Sequence, residues 1–220
     1  MVEQGYKAQK WFFRHGPADG LEGMERNVEL VRTVREAVGP TVEIMFDCWM
    51  GWDYTYTVRM LERIEQYRPG WVEEALPADR IAEFAQLRRT TRVPIATGEH
   101  EYTRWGFLQL LQAEGIDVIQ ADPDWCGGIS ELVKIGVLAS AFGRPVIPHG
   151  HSIWAAVHVI ASQAPITFPM AEFLLMAQPA KQHFHRTYLQ PEGGSIPLPT
   201  APGLGIELDE SKIERRVALE

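Results

Sequence analysis

Between residues 42 and 99 the chain repeats one phrase three times: Val42-Glu-Ile-Met-Phe46-Asp47, Gly70-Trp-Val72-Glu73 and Pro94-Ile-Ala-Thr97-Gly98-Glu99. Each is a short apolar run that ends on a carboxylate, and the carboxylates recur 26 residues apart. That interval fits one strand, one helix and two turns. The helices lie between the runs. Tyr54–Tyr67 sets Val58, Leu61, Ile64 and Glu65 at helical spacing before Pro69-Gly70 stops it, and Arg80–Thr90 repeats the form. The strand candidates lack strict alternation, as parallel strands covered on both faces do.

Working outward, the same unit recurs on both sides. Further strand candidates are Ala8–Phe13, Val118–Gln120, Pro145–Ile147 and Pro169–Leu174. Further helical patterns are Met24–Val38, closed by Gly39-Pro40, then Tyr102–Glu114, Gly128–Phe142 and Ser152–Ser162, with Gly115 and Gly143 where C-terminal caps belong. The polar residues in or after successive strands are Lys10, Asp47, Glu73, Glu99, Asp122, His149 and Glu172, at intervals of 37, 26, 26, 23, 27 and 23 residues. Such regular strand–helix repetition predicts an α/β fold with a parallel sheet, a TIM-like (β/α) barrel, whose C-terminal strand ends share one mouth. No Gly-x-Gly-x-x-Gly opens a helix and no Gly-x4-Gly-Lys-Ser/Thr occurs, which argues against dinucleotide and P-loop sites. The predicted organisation is a barrel domain over residues 1–190 and a Pro/Gly-rich strap over 191–220.

Composition narrows the function classes. Of 220 residues 45% are apolar and 23% charged, an ordinary globular balance, and the net charge is −8. An acidic surface argues against nucleic acid and anionic membranes as partners. No apolar run reaches the length of a membrane span, and Met1-Val-Glu-Gln-Gly5 lacks the basic and apolar regions of a signal peptide. Two cysteines, Cys48 and Cys126, do not make a disulfide scaffold, so a reduced, cytoplasmic protein is expected. Asn27 is the only asparagine, so no glycosylation sequon exists.

Asp47, Glu73 and Glu99 would meet at the mouth as three anions, which repel unless a cation neutralises them. All-oxygen ligation favours a hard ion, Mg²⁺ or Mn²⁺. The rival reading is a salt-bridged ring. Asp122 and His149 form a second set, in which the carboxylate holds the imidazole in one tautomer and raises its basicity for acid–base work; the alternative is a hydrogen-bonded loop histidine. Trp11, Trp71, Trp105 and Trp154 read as packing residues, and Trp49 as a residue of the mouth. Cys126 reads as packed, Glu74 as a supporting partner and not a ligand because alternation turns it away from Glu73, and His183-Phe-His185 as loop.

Taken together, Gly5-Tyr-Lys-Ala-Gln-Lys10, Phe46-Asp47, Val72-Glu73-Glu74, Thr97-Gly-Glu99-His100, Asp122-x4-Gly127-Gly128 and Pro148-His149-Gly150 resemble the enolase superfamily, mandelate racemase subgroup. Asp47-Cys-Trp-Met50, Trp125-Cys-Gly-Gly128 and Ala171-Glu-Phe-Leu174 are most similar to acid-sugar dehydratases of the L-rhamnonate dehydratase type. The resemblance runs from about Gly5 to Val217. It implies Mg²⁺ on Asp47, Glu73 and Glu99, His149 as acid–base catalyst with Asp122 as its partner, and Glu172 binding substrate or stabilising the enolate. The substrate would be a small sugar acid, dehydrated by α-proton removal and β-elimination to a 2-keto-3-deoxy acid, with His149 or a neighbour such as His151 assisting departure of the hydroxyl. Lys10 matches the first lysine of the family's Lys-x-Lys strand; Phe12 replaces the second, which weakens a racemase reading. The resemblance also implies a homo-oligomer, and an N-terminal α+β capping domain and first barrel strand that this chain lacks. A non-catalytic fragment or pseudoenzyme and a racemase or epimerase remain alternatives, and a His149-Gly-His151 zinc hydrolase is a weaker one.

Overall fold

The computed structural model describes residues 1–217, so the last three residues of the expected strap lie outside the described residues. Five strands form one parallel sheet in chain order: β1 (Ala8–Phe12), β2 (Glu43–Asp47), β3 (Trp71–Glu73), β4 (Ile95–Thr97) and β5 (Val118–Ile119). The helices are α1 (Gly20–Val38), α2 (Tyr54–Ile64), α3 (Ile81–Thr90), α4 (Thr103–Gln112), the single-turn α5 (Pro123–Cys126), α6 (Ile129–Ala141), α7 (Ile153–Ser162) and the short α8 (Gln178–Lys181). Beyond β5 the sheet thins to isolated bonds. Val146 bridges Ile119 in parallel, and its amide donates to Thr167 O at 2.7 Å. The strands expected at Pro145–Ile147 and Pro169–Leu174 are therefore not continuous ladders. Pro145, Pro148 and Pro169 carry no N–H to donate, which limits pairing there.

Helical stripes close the outside. On α1, Met24, Asn27, Val31 and Val34 are buried, and Asp53 caps α2 by accepting the Tyr56 amide at 2.8 Å. Ile44, Phe46, Val72 and Ile95 face these helices within one core cluster. Gly115 is not a left-handed cap as expected. Glu114 takes that conformation (φ 56°), while a side chain on Gly115 would press on Ala85 N at 3.3 Å, so glycine there serves close helix packing.

Side-chain alternation builds the inside in two layers. Met45, Trp71, Ala96, Val118 and Ile147, with Ala8 and Met170, form an apolar plug. Two residues further along each segment the next inward side chain is polar: Lys10, Asp47, Glu73, Gln120, His149 and Glu172. β4 is the exception, because its ligand-like residue is three beyond Ala96. Gly98 (φ 128°) supplies the extra step that turns Glu99 inward, and a Cβ there would sit 2.7 Å from the Phe107 ring.

β1 is an edge. Its pairing with β2 uses odd-numbered residues: Lys7 O accepts from Glu43 N, and Phe13 N donates to Asp47 O, each at 2.9 Å. In a parallel ladder alternate residues bond to opposite sides, so the amides of Ala8, Lys10 and Phe12 face away. No other strand pairs with that edge among the described residues. An apolar groove of about 570 Å³ lies there, between β1 and Met170–Met176. Proline separates the two edges. Trp11→Pro should cost about 1–3 kcal/mol for the bond it removes and the carbonyl it strands. Phe12→Pro, one residue on, should cost under about 0.5 kcal/mol beyond loss of its exposed ring. Equal losses in chemical denaturation would contradict the register.

Candidate active site

Asp47, Glu73 and Glu99 end on one point at the barrel mouth, with one carboxylate oxygen from each lying within 4.8 Å of the others. Their burial is severe: Glu73 is fully enclosed, and Asp47 and Glu99 are buried. Lys10 supplies the local positive charge. Its Nζ lies 2.7 Å from Glu73 Oε1, 3.0 Å from Glu172 Oε1 and 3.4 Å from Asp47 Oδ2. Burial works against that ammonium, yet Glu172, Glu73 and Asp47 outweigh it and hold its pKa well above the usual lysine value.

One lysine does not neutralise four acids. Burial, then the charge of Glu73, pushes Asp47 up to about 6. Burial raises Glu73 despite Lys10. Burial pushes Glu99 up to about 8, against the opposing charge of His149. Glu99 Oε2 is buried without a hydrogen bond, although His149 Nε2 stands 3.2 Å away. Converging oxygens, raised carboxylates and an orphaned acceptor fit a hard divalent cation. Two other clusters, Glu74–Glu99–His100 and Asp122–Asp124–His151, fit less well. Their histidines already bond the carboxylates, His100 Nδ1 to Glu74 Oε2 and His151 Nδ1 to Asp124 Oδ2, each at 2.9 Å.

Opposite stands the acid–base pair. His149 Nδ1 donates to Asp122 Oδ2 at 2.9 Å, leaving Nε2 turned toward Glu99 and the carboxylate point. Burial lowers the imidazole pKa, but the Asp122 hydrogen bond and the charges of Glu172 and Glu99 overcome it and bring it to about 9. Asp122 is itself clamped, its Oδ1 accepting the Asp124 amide at 2.8 Å.

The seven strand-end polar residues, Lys10, Asp47, Glu73, Glu99, Asp122, His149 and Glu172, thus meet at this mouth. Glu172 joins Lys10 on one side and accepts from Gln120 Nε2 at 3.0 Å on the other. Sequence reasoning missed the supports. Gln120 was hidden inside an apolar strand. Trp71, read as packing, also donates its indole N–H to Glu73 Oε2 at 3.1 Å. Glu74 is the supporting partner expected of it, although alternation does not bring it there. With φ 44° it breaks the alternation, and its buried carboxylate holds His100 beside Glu99. Trp49 was expected to follow Asp47 on an extended segment, but its backbone is left-handed there: at φ 46° its amide donates to Asp47 Oδ1 at 2.8 Å, and the ring is exposed. Cys126 and Cys48 are buried and unpaired. Among the described residues no helix is long and apolar enough to cross a membrane.

Comparison with known proteins gives the geometry a family. Residues 1–212 match the Enolase C-terminal domain-like family. An L-rhamnonate dehydratase of Saccharopolyspora erythraea is 42% identical over 224 residues, which covers 97% of this chain and 56% of that protein. The crystal structure of L-rhamnonate dehydratase from Gibberella zeae superposes with a TM-score of 0.85 at 32% identity, covering 96% of this chain and 55% of that one. The same fungal enzyme complexed with Mg gives a TM-score of 0.78 at 32% identity, over 96% and 53%. The chain therefore spans little more than half the length of these relatives. Its polar upper layer, its parallel strand order and these matches agree: the chain belongs to the Enolase C-terminal domain-like family and is a partial barrel of that fold.

Proposed function

We propose that this chain forms the catalytic portion of a Mg²⁺-dependent sugar-acid dehydratase. The observation that carries the reading is the convergence of Asp47, Glu73 and Glu99 on one point with the His149 Nε2 edge facing them. Likeness to L-rhamnonate dehydratases supports the substrate class. Asp47, Glu73 and Glu99 would hold the ion, and Mg²⁺ when bound supplies an electron sink for a substrate carboxylate, which acidifies the neighbouring C–H.

The chain's own groups do the rest. His149, held in one tautomer by Asp122, takes the α-proton. The leaving β-hydroxyl then needs a proton from an imidazole at the same mouth, and the enol that results becomes a 2-keto-3-deoxy acid. Glu172 and Gln120 form a polar wall beside Lys10 that can order substrate hydroxyls. Two-base racemisation fits less well. Lys10 is tied into Asp47, Glu73 and Glu172, and Phe12 presents an exposed ring where a second base would stand.

Cation binding must displace protons from Asp47, near 6, and Glu99, near 8. Affinity for Mg²⁺ should therefore rise with pH up to about 8 and level off above it, by up to roughly tenfold per pH unit for each proton released, steepest below pH 6 where both groups carry one. Calorimetry in buffers of different ionisation enthalpy reads both affinity and proton release; a pH-independent affinity without release would contradict the assignment. In Asp47→Asn, Mg²⁺ binding should be lost while far-ultraviolet circular dichroism is kept.

Proton transfer is tested separately. His149→Asn should cut deuterium exchange at the substrate α-carbon and keto-acid formation by about 10²–10⁴-fold. Asp122→Asn should cut both by roughly 10–100-fold while leaving Mg²⁺ affinity unchanged. Epimerised sugar acid without any keto product would defeat the dehydratase reading.

A further inference from the structure

Glu73 is the most tightly held of the three acids that converge at the mouth. Its side chain is fully enclosed, and each carboxylate oxygen has its own donor. Lys10 Nζ donates to Oε1 at 2.7 Å, and the Trp71 indole N–H donates to Oε2 at 3.1 Å. Asp47 takes one hydrogen bond, from the Trp49 amide at 2.8 Å, with Lys10 Nζ 3.4 Å away. Glu99 Oε2 takes none. The three carboxylates therefore differ in freedom, and Trp71 marks the stiffest.

Trp71 belongs to the apolar plug with Met45, Ala96, Val118 and Ile147, and is 6% exposed. It stands two positions before Glu73 on β3, so both side chains leave the same face of the strand. A buried indole carries one donor, no acceptor, and needs a partner. A backbone carbonyl would satisfy it. Here the acceptor is a carboxylate of the cluster, reached upward from the plug. Phenylalanine fills much of the same apolar space but has no N–H to offer.

The consequence lies in one torsion. The last torsion of a glutamate side chain is soft and broad. A single donor lets the carboxylate plane pivot about the bonded oxygen. Donors on both oxygens fix that plane. Ions respond differently to such stiffness. Mg²⁺ demands near-octahedral geometry at about 2.0–2.1 Å, whereas Ca²⁺ accepts about six to eight oxygens at roughly 2.3–2.6 Å in flexible arrangements.

We propose that Trp71 is a positioning residue of the cation site, whose indole N–H fixes the Glu73 carboxylate and so makes the site prefer Mg²⁺ to Ca²⁺. The proposal rests on the reading of Asp47, Glu73 and Glu99 as a Mg²⁺ site, and adds what sets its choice of ion. Lys10 does not fix Glu73 alone, because its one ammonium is shared among Glu73, Glu172 and Asp47.

Calorimetric titration of the chain with MgCl₂ and with CaCl₂, at one pH, gives the ratio of the two dissociation constants with no substrate present. Trp71→Phe should weaken Mg²⁺ by about tenfold or more, and Ca²⁺ by less than about threefold. Val118→Ala opens the same plug without touching the N–H. Its denaturation midpoint should fall while the ratio of affinities stays within about twofold. Replacing Trp71 by 3-benzothienylalanine keeps the ring's shape with sulfur in place of N–H. This variant should show the same loss of ion preference, whether or not Trp71→Phe folds. In ¹⁵N-indole spectra of the parent, the cross-peak that this variant lacks should move on saturation with Mg²⁺. Unchanged Mg²⁺ affinity in the Trp71 variants, equal weakening of both ions, an equal change of ratio in Val118→Ala, or an unmoved cross-peak overturns the proposal. A parent that binds Ca²⁺ as tightly as Mg²⁺ overturns it too. A parent that binds no Mg²⁺ refutes the metal-site reading itself, and the proposal with it.

Discussion

Lys10 among the carboxylates is the interaction on which the rest of this mouth depends. Two like charges about 4 Å apart cost on the order of 4 kcal/mol at the effective dielectric of a protein surface. Asp47, Glu73, Glu99 and Glu172 crowd one end of a barrel. The buried ammonium of Lys10 touches three of them and bridges β1 to the last barrel segment, Met170–Glu172. It leaves the cluster short of positive charge, which is why Asp47 and Glu99 remain hard to ionise. A site so charged suits a cation, and under the proposed function that binding, not stability, accounts for the expense of burying the acids.

Lys10 also reaches where backbone does not. Across the open side of β1 no hydrogen-bonded strand is present among the described residues, and the ion pair from Lys10 to Glu172 is what joins the two rims at the level of the site. Edge amides at Ala8, Lys10 and Phe12 beside an apolar groove are features that folded proteins normally cover. The relatives compared here are nearly twice as long, so the barrel has more polypeptide associated with it in those proteins.

The apolar plug below and the charged layer above come from one rule. Side chains alternate along each strand, so Asp47, Glu73, His149 and Glu172 stand two positions after Met45, Trp71, Ile147 and Met170. The plug keeps water out from beneath and so makes the charges above costly and strong. Where the count fails, at Ala96 to Glu99, a glycine with positive φ restores it.

The sequence by itself determined the parallel α/β fold, the strand positions of the first five units and the seven polar residues of the mouth. These are periodic signals: apolar runs at one-unit spacing, each ending on an ionisable group, are legible because alternation and helix length are local properties. It also told the two charged sets apart, since Asp47, Glu73 and Glu99 are all carboxylates and His149 is the one imidazole of the strand-end series. What it did not disclose depends on neighbours far along the chain. Pro145–Ile147 and Pro169–Leu174 look like strands locally, but the ladder needs partner amides that proline cannot supply. Gln120 is one polar residue in an apolar run until Glu172 arrives 52 residues later to accept its bond. Glu74 is read as pointing outward by alternation, and only its left-handed backbone brings it to His100. Tertiary structure decided these points because a hydrogen bond has two partners, and the sequence states only one of them at a time.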